Sequence, residues 1–395
     1  MEDKYTSKLS PATDYSAGMF LVVIAVLSIF GNAAVLATAA KRLTLLKAPE
    51  LLTVNLALTD IGMALSMYPL SIASAFNHTW VGGDPACVYY GLMGSLFSVA
   101  SIMTLTVLGM VRYLITGTQH RSGNKFQKKT IMVMITFIWL YAVLWAALPV
   151  LGWGYYGPEP FGLACSVDWA GYQHSLNGST FILAISITCT FMPCLAIIFS
   201  YSGIAWKLHK AYQAIENNQN LPKSGSLERR FTLMAVLISS GFIVSWTPYV
   251  AVSFWTMFHP KGKDSIAPIV SLLPCLFAKC STAYNPFIYY IFRRSFRREI
   301  GQIKCCCALW MRLHAAENSL ASKSPDSQTL RGATRDSNPG QAADSQTLRV
   351  ATRDGNPGQA ADSQTLRGAT RDGNPARACS TAVKRLTDGE TMSSC

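Results

Sequence analysis

Leu272–Phe292 reads LLPCLFAKCSTAYNPFIYYIF. The run is apolar and long enough to cross a bilayer as a helix, yet Lys279 stands near its middle. An ammonium at that depth costs roughly 3 kcal/mol on insertion scales, so such a lysine marks a functional site. Snorkelling to an interface is the structural alternative, and the central position disfavours it. An amine kept among apolar neighbours is also set up to condense with an aldehyde as a Schiff base.

Outward from this stretch, composition sets the class. Half of the 395 residues are apolar and only 14% are charged. That balance points to an integral membrane protein and excludes an ordinary soluble domain. Lys and Arg number 34 against 21 Asp and Glu, but they fall between apolar segments and in the tail, so no nucleic-acid surface is expected. The spans read as 17–40, 51–75, 86–111, 130–152, 178–206, 231–257 and 267–292, predicting an all-α membrane protein built as a bundle of seven transmembrane helices. Loops one, three and five carry the basic residues, Arg42, Lys129 and Lys210 among them, and Arg293, Arg294, Arg297 and Arg298 follow span seven. The opposite loops hold few, mainly Lys261 and Lys263, which predicts an outer N-terminus (1–16), a cytosolic C-terminus and a multi-pass protein of the plasma membrane. Residues 1–16 lack a basic n-region with a cleavage site, so span one is expected to act as its own insertion signal.

Asn77-His-Thr79 and Asn177-Gly-Ser179 are sequons in loops that this topology puts outside. Cys87 and Cys165 share that oxidising side; a bridge would pin the second outer loop over the bundle, and two free thiols are the alternative. After span seven, 293–304 reads as an amphipathic interfacial helix, and Cys305, Cys306 and Cys307 behind it suit S-palmitoylation. No metal site is expected there, because histidines and spaced cysteine pairs are missing. From 315 to 395 the chain turns polar, with three copies of an 18-residue repeat starting at Asp326, Asp344 and Asp362. Such a tail buries too little to offset its ordering entropy and is expected to be a disordered cytosolic segment with Ser and Thr open to phosphorylation.

Within the spans, Asn32, Asp60 and Asn285 are costly in lipid and are expected to satisfy one another across a shared interior, alongside Trp139 in span four. Pro193, Pro248 and Pro286 each remove a helix donor, so spans five, six and seven should kink there and form a bundle that can rearrange.

Together the spans, GN at 31–32, LALTD at 56–60, Cys87, RY at 112–113, SWTP at 245–248 and NPFIY at 285–289 resemble the rhodopsin-type G-protein-coupled receptors from residue 15 to about 305. Lys279, seven residues before Pro286, corresponds to the lysine by which opsins bind retinal. GPEPFGLACSVDW (157–169) and DSIAPIVSLLPCLFAK (264–279) are most similar to the neuropsin branch, with peropsin and retinal G-protein-coupled receptor opsins as neighbours.

The resemblance implies a non-visual, light-sensing receptor with 11-cis or all-trans retinal held covalently on Lys279. Vertebrate visual opsins carry the Schiff-base counterion three residues after the cysteine, where this chain has Tyr90. Glu159, six residues before Cys165, is the remaining candidate; Asp60 and Asp168 are set aside, and a neutral Schiff base absorbing in the ultraviolet is the other outcome. Tyr90, Gly94, Ser95, Ser98, Trp246 and Tyr249 should line the pocket, and Trp246 beside Pro248 should relay isomerisation to span six. Arg112, Tyr113, Tyr201, Glu228, Pro248, Asn285, Pro286 and Tyr289 make up the expected activation switch. Implied partners are a heterotrimeric G protein, anionic membrane lipid, and a receptor kinase and arrestin through the tail. Val111 replaces the usual acid before Arg112, with Glu228 as a substitute partner, so a retinal photoisomerase with little signalling stands as the second reading.

Overall fold

The computed structural model describes residues 4–116, 127–217, 226–259, 267–293 and 296–301, with side chains of a few residues near the helix ends left out. The chain divides into two units, Met1–Ile300 and Gly301–Cys395. The repeats and Cys305, Cys306 and Cys307 lie outside the described residues, as do Lys261, Lys263 and the side chain of Glu228.

Seven columns run through the first unit. The first is α1 (Pro11–Lys41), started by Pro11 at its first turn and by Ser10, whose hydroxyl accepts from the Thr13 amide. The second is α2 (Glu50–Ser66) followed by α3 (Tyr68–Phe76), and the third is α4 (Gly83–Thr116). The fourth is α5 (Lys128–Ala147). Column five joins α7 (Leu176–Ile185), a π-helical turn at Ser186–Phe191 and α8 (Met192–Asn217). Column six is α9 (Ser226–Phe258), and column seven joins α10 (Pro268–Lys279) to α11 (Ser281–Phe292). Between columns four and five, β1 (Tyr156–Pro158) pairs antiparallel with β2 (Cys165–Val167), and the short α6 (Gly171–His174) follows.

Among the described residues, six stretches are long and apolar enough to cross a membrane as helices, and column seven is not among them because it is cut into halves of 12 residues each. Large apolar side chains also face outward, Phe30, Phe137 and Phe199 being 71%, 66% and 68% exposed, the pattern of a helix surface made for lipid. At the centre, α4 touches α2, α5, α8, α9 and both strands.

Many of the polar side chains inside the bundle are paired, as a low-dielectric interior favours. Asn285 Nδ2 donates to Asp60 Oδ2 at 2.9 Å. Asn32 departs from the expectation: it donates to the carbonyls of Ser28 and Thr282, at 2.9 and 2.8 Å, and to neither Asp60 nor Asn285. Pro286 explains this, since its missing N–H leaves the Thr282 carbonyl without a helix donor, and Asn32 fills the vacancy. Asn55, which sequence reasoning passed over, accepts from Trp139 Nε1 at 2.9 Å and donates to Thr104 at 2.8 Å.

The helix interruptions lie at positions that the sequence analysis did not single out. Pro248 and Pro286 lie inside continuous helices, column five carries its π turn just ahead of Pro193, and the breaks fall at Met67 and Cys280. At the hairpin end, Cys87 and Cys165 form a disulfide with a Cα separation of 5.3 Å, tying β2 to α4. Gly91 makes room for this: a Cβ there would meet Tyr156 Cδ1 at 2.5 Å. At the opposite end, residues 296–301 are helical, and Arg42 pairs with Glu299 at 3.4 Å while Arg293 pairs with Glu50. Part of the expected interfacial helix is thereby held against the α1–α2 connection.

Candidate functional site

A cavity of about 400 Å³ lies beneath the hairpin, within the size range of ligand pockets. Every pocket residue expected from sequence lines it: Tyr90, Gly94, Ser95 and Ser98 from α4, Trp246 and Tyr249 from α9, Glu159 from the hairpin turn and Lys279 from α10. Met63, Met67, Ile185, Cys189, Phe242 and Cys275 complete the apolar walls. Small residues on α4 are what leave space; a Cβ on Gly94 would come within 2.9 Å of Met67 Cε.

Lys279 is the last residue of α10 and only 9% exposed. Its Nζ stands 5.5 Å from the ring centroid of Tyr90 and 5.9 Å from that of Tyr68, within cation–π range of both. Among the described residues, no carboxylate lies within ion-pair distance of this amine. Tyr90 is held in turn by Ser71 and by the edge of Trp80 at 5.2 Å.

The hairpin turn sets Glu159, whose N–H donates to the Ala164 carbonyl at 2.8 Å while its C=O accepts from Gly162 at 2.9 Å. Its Oε1 accepts from the Tyr249 hydroxyl at 2.7 Å. Desolvation pushes the carboxyl above the ordinary glutamate range, and the Tyr249 hydrogen bond works against that rise. Trp246 stacks on Phe242 at 5.6 Å, meets Tyr249 edge-on at 5.9 Å and donates Nε1–H to Ser281 at 3.2 Å. Glu159, Tyr249, Trp246 and the column-seven break are therefore linked by contact.

The expected switch residues are spread along the bundle. Tyr201 and Ser239 join α8 to α9 through their hydroxyls at 3.1 Å. Arg112 is buried, with its guanidinium 5.5 Å from the Phe231 ring centroid, and Tyr113 carries the Lys207 ammonium 3.4 Å from its own ring centroid. Among the described residues, the buried Tyr289 hydroxyl has no hydrogen-bond partner. Asn77 is exposed, whereas Asn177 engages both polar atoms, accepting from Gly154 N–H and donating to the Gly152 carbonyl, each at 2.6 Å.

Sequence reasoning missed Tyr68, Thr282 and Ser28. The Tyr68 hydroxyl donates to the Lys279 carbonyl at 3.1 Å and meets Thr282 Oγ1 at 2.9 Å, and Ser28 meets the same Thr282 oxygen at 2.6 Å. Two signals were readable. Pro69 directly follows Tyr68, and Thr282 lies four residues before Pro286.

A family profile described as 7 transmembrane receptor (rhodopsin family) matches residues 31–289. Opsin-5 of Mus musculus is 38% identical over 292 residues, covering 73% of this chain and 76% of that protein. The visual pigment-like receptor peropsin of Mus musculus is 31% identical, covering 72% of this chain and 83% of that protein. The crystal structure of squid rhodopsin aligns with a TM-score of 0.70 at 29% identity, over 76% of this chain and 84% of that one. The chain belongs to the rhodopsin family of seven-transmembrane receptors and, within it, to the opsins.

Proposed function

We propose that this opsin is a light-sensing receptor that carries retinal on Lys279 as a Schiff base and signals to a heterotrimeric G protein. The observation that carries the reading is a buried lysine facing an apolar cavity at a helix break, with no carboxylate among the described residues paired to its amine. The donor set fits the group: an elongated apolar aldehyde needs greasy walls, one amine and few competing polar atoms, and this cavity supplies them.

The chemistry that retinal supplies when bound is the absorption of light and a change of shape. The chain's own residues do the rest. Tyr90 and Tyr68 present ring faces to the nitrogen of Lys279, and Glu159 offers the one carboxylate among the cavity residues. Trp246 and Tyr249 bracket Pro248 in α9, so a disturbance of their packing acts where that helix already lacks a backbone bond. Motion of α9 bears on the Arg112 end, which we read as the cytosolic, G-protein-facing side, with the hairpin end outside. Val111 beside Arg112 favours a second reading, a photoisomerase with weak coupling; the retained Tyr201, Asn285 and Tyr289 favour the receptor.

An absorption spectrum of the purified protein, reconstituted with 11-cis or all-trans retinal before and after illumination, tests the reading. A light-shifted band that is lost in Lys279→Ala is expected. Folded wild-type protein with no band from either isomer would overturn it. Light-driven nucleotide exchange without release of retinal separates receptor from isomerase.

A further inference from the structure

Retinal-binding opsins need their lysine amine aimed into the cavity, and here the backbone that aims it is broken. The Ala283 amide, which in an unbroken helix would bond the Lys279 carbonyl, bonds Cys280 instead at 3.0 Å. The Lys279 carbonyl is thereby left for side chains. Tyr68 donates to it at 3.1 Å and Thr282 Oγ1 at 3.0 Å. Tyr68 is fully buried at the break of its own column, between α2 and α3, where Met67 is the junction residue. Ser28 on α1 closes the cluster through Thr282 at 2.6 Å. Hydroxyls from two columns thus meet at one carbonyl, with a third column joined through Thr282, and the Tyr68 ring also stands 5.9 Å from Nζ of the same lysine.

We propose that Tyr68 is a positioning residue for Lys279: its hydroxyl fixes the α10–α11 break, and so the direction of the lysine side chain, while its ring forms one wall of the seat for the nitrogen's charge. The inference deepens the retinal reading and rests on it for its purpose, but the contact is a property of the retinal-free protein and is testable there.

The test compares wild type with Tyr68→Phe, which keeps the ring, and Tyr68→Leu, which keeps neither group. Two quantities are read: amide hydrogen exchange over 276–286 in retinal-free protein, referenced to 99–111 in α4, and the rate of pigment formation with added retinal per folded molecule. Expected for Tyr68→Phe is faster exchange confined to 276–286 and pigment formation slowed roughly tenfold, since a displacement of about 1 Å at a reacting group can cost up to about a hundredfold. Tyr68→Leu should show the same exchange and, in addition, a displaced absorption maximum. Wild-type exchange or wild-type pigment formation in Tyr68→Phe would overturn the assignment, as would a maximum in Tyr68→Leu equal to that in Tyr68→Phe. If wild type itself forms no pigment, the retinal reading fails, and the exchange comparison alone decides the role of Tyr68.

Discussion

At the scale of single residues, Lys279 and Glu159 behave differently toward their surroundings. Glu159 is tied to Tyr249 and held above the ordinary glutamate range by desolvation. The folded chain therefore keeps its proton to higher pH than the unfolded chain. It follows that this group's contribution is most favourable below about pH 4.3 and is lost as pH rises through the raised folded value, by at most about 1.4 kcal/mol per pH unit. Melting curves of the retinal-free protein across that window should fall with pH in wild type and flatten in Glu159→Gln. Equal slopes in the two proteins would refute the assignment. Lys279 was legible because a lone ammonium in an apolar run is visible in one dimension. Tyr68 was not, because its partners Lys279 and Thr282 lie 211 and 214 residues away along the chain.

At the scale of elements, the hairpin is the roof of the cavity, and it sits close because α4 presents Gly91 beneath Tyr156. Ala at that position places a methyl 2.5 Å from the ring, so the Tyr156 side chain or the hairpin that carries it must shift. Gly91→Ala is expected to lower stability by about 1–3 kcal/mol, read as a lower melting temperature of the retinal-free protein. An unchanged melting temperature would mean that the hairpin yields without cost. The two breaks at Met67 and Cys280 belong to this scale as well. Sequence showed prolines nearby, but a proline states only which carbonyl loses its donor. Whether the helix kinks, continues or splits depends on what fills the gap, and here Asn32 filled one vacancy and let α11 continue across Pro286.

At the scale of the whole molecule, light absorbed at one end must be read at the other, and the columns are joined on the way by few side chains. Phe231 on α9 lies 5.5 Å from the Arg112 guanidinium on α4 and 5.8 Å from Lys47 Nζ in the α1–α2 connection. Phe231→Leu removes cation–π attraction of about 0.5–1 kcal/mol and should raise dark nucleotide exchange on the G protein about two- to fivefold. Dark exchange equal to wild type would show that this ring does not restrain α9. Span number, the lysine inside an apolar span and the Asp60–Asn285 pair were legible in the sequence alone, because hydrophobic length and the cost of polar groups in lipid act locally or leave few choices of partner, whereas the pocket walls were legible only through the family resemblance. The split of column seven at Cys280, the seat of Asn32 on Thr282, the Tyr249 hold on Glu159 and the Tyr68 contact with Lys279 were decided only by the tertiary structure. Each depends on which distant group arrives within about 3 Å of an unsatisfied atom, a fact of packing that no periodicity along the chain encodes.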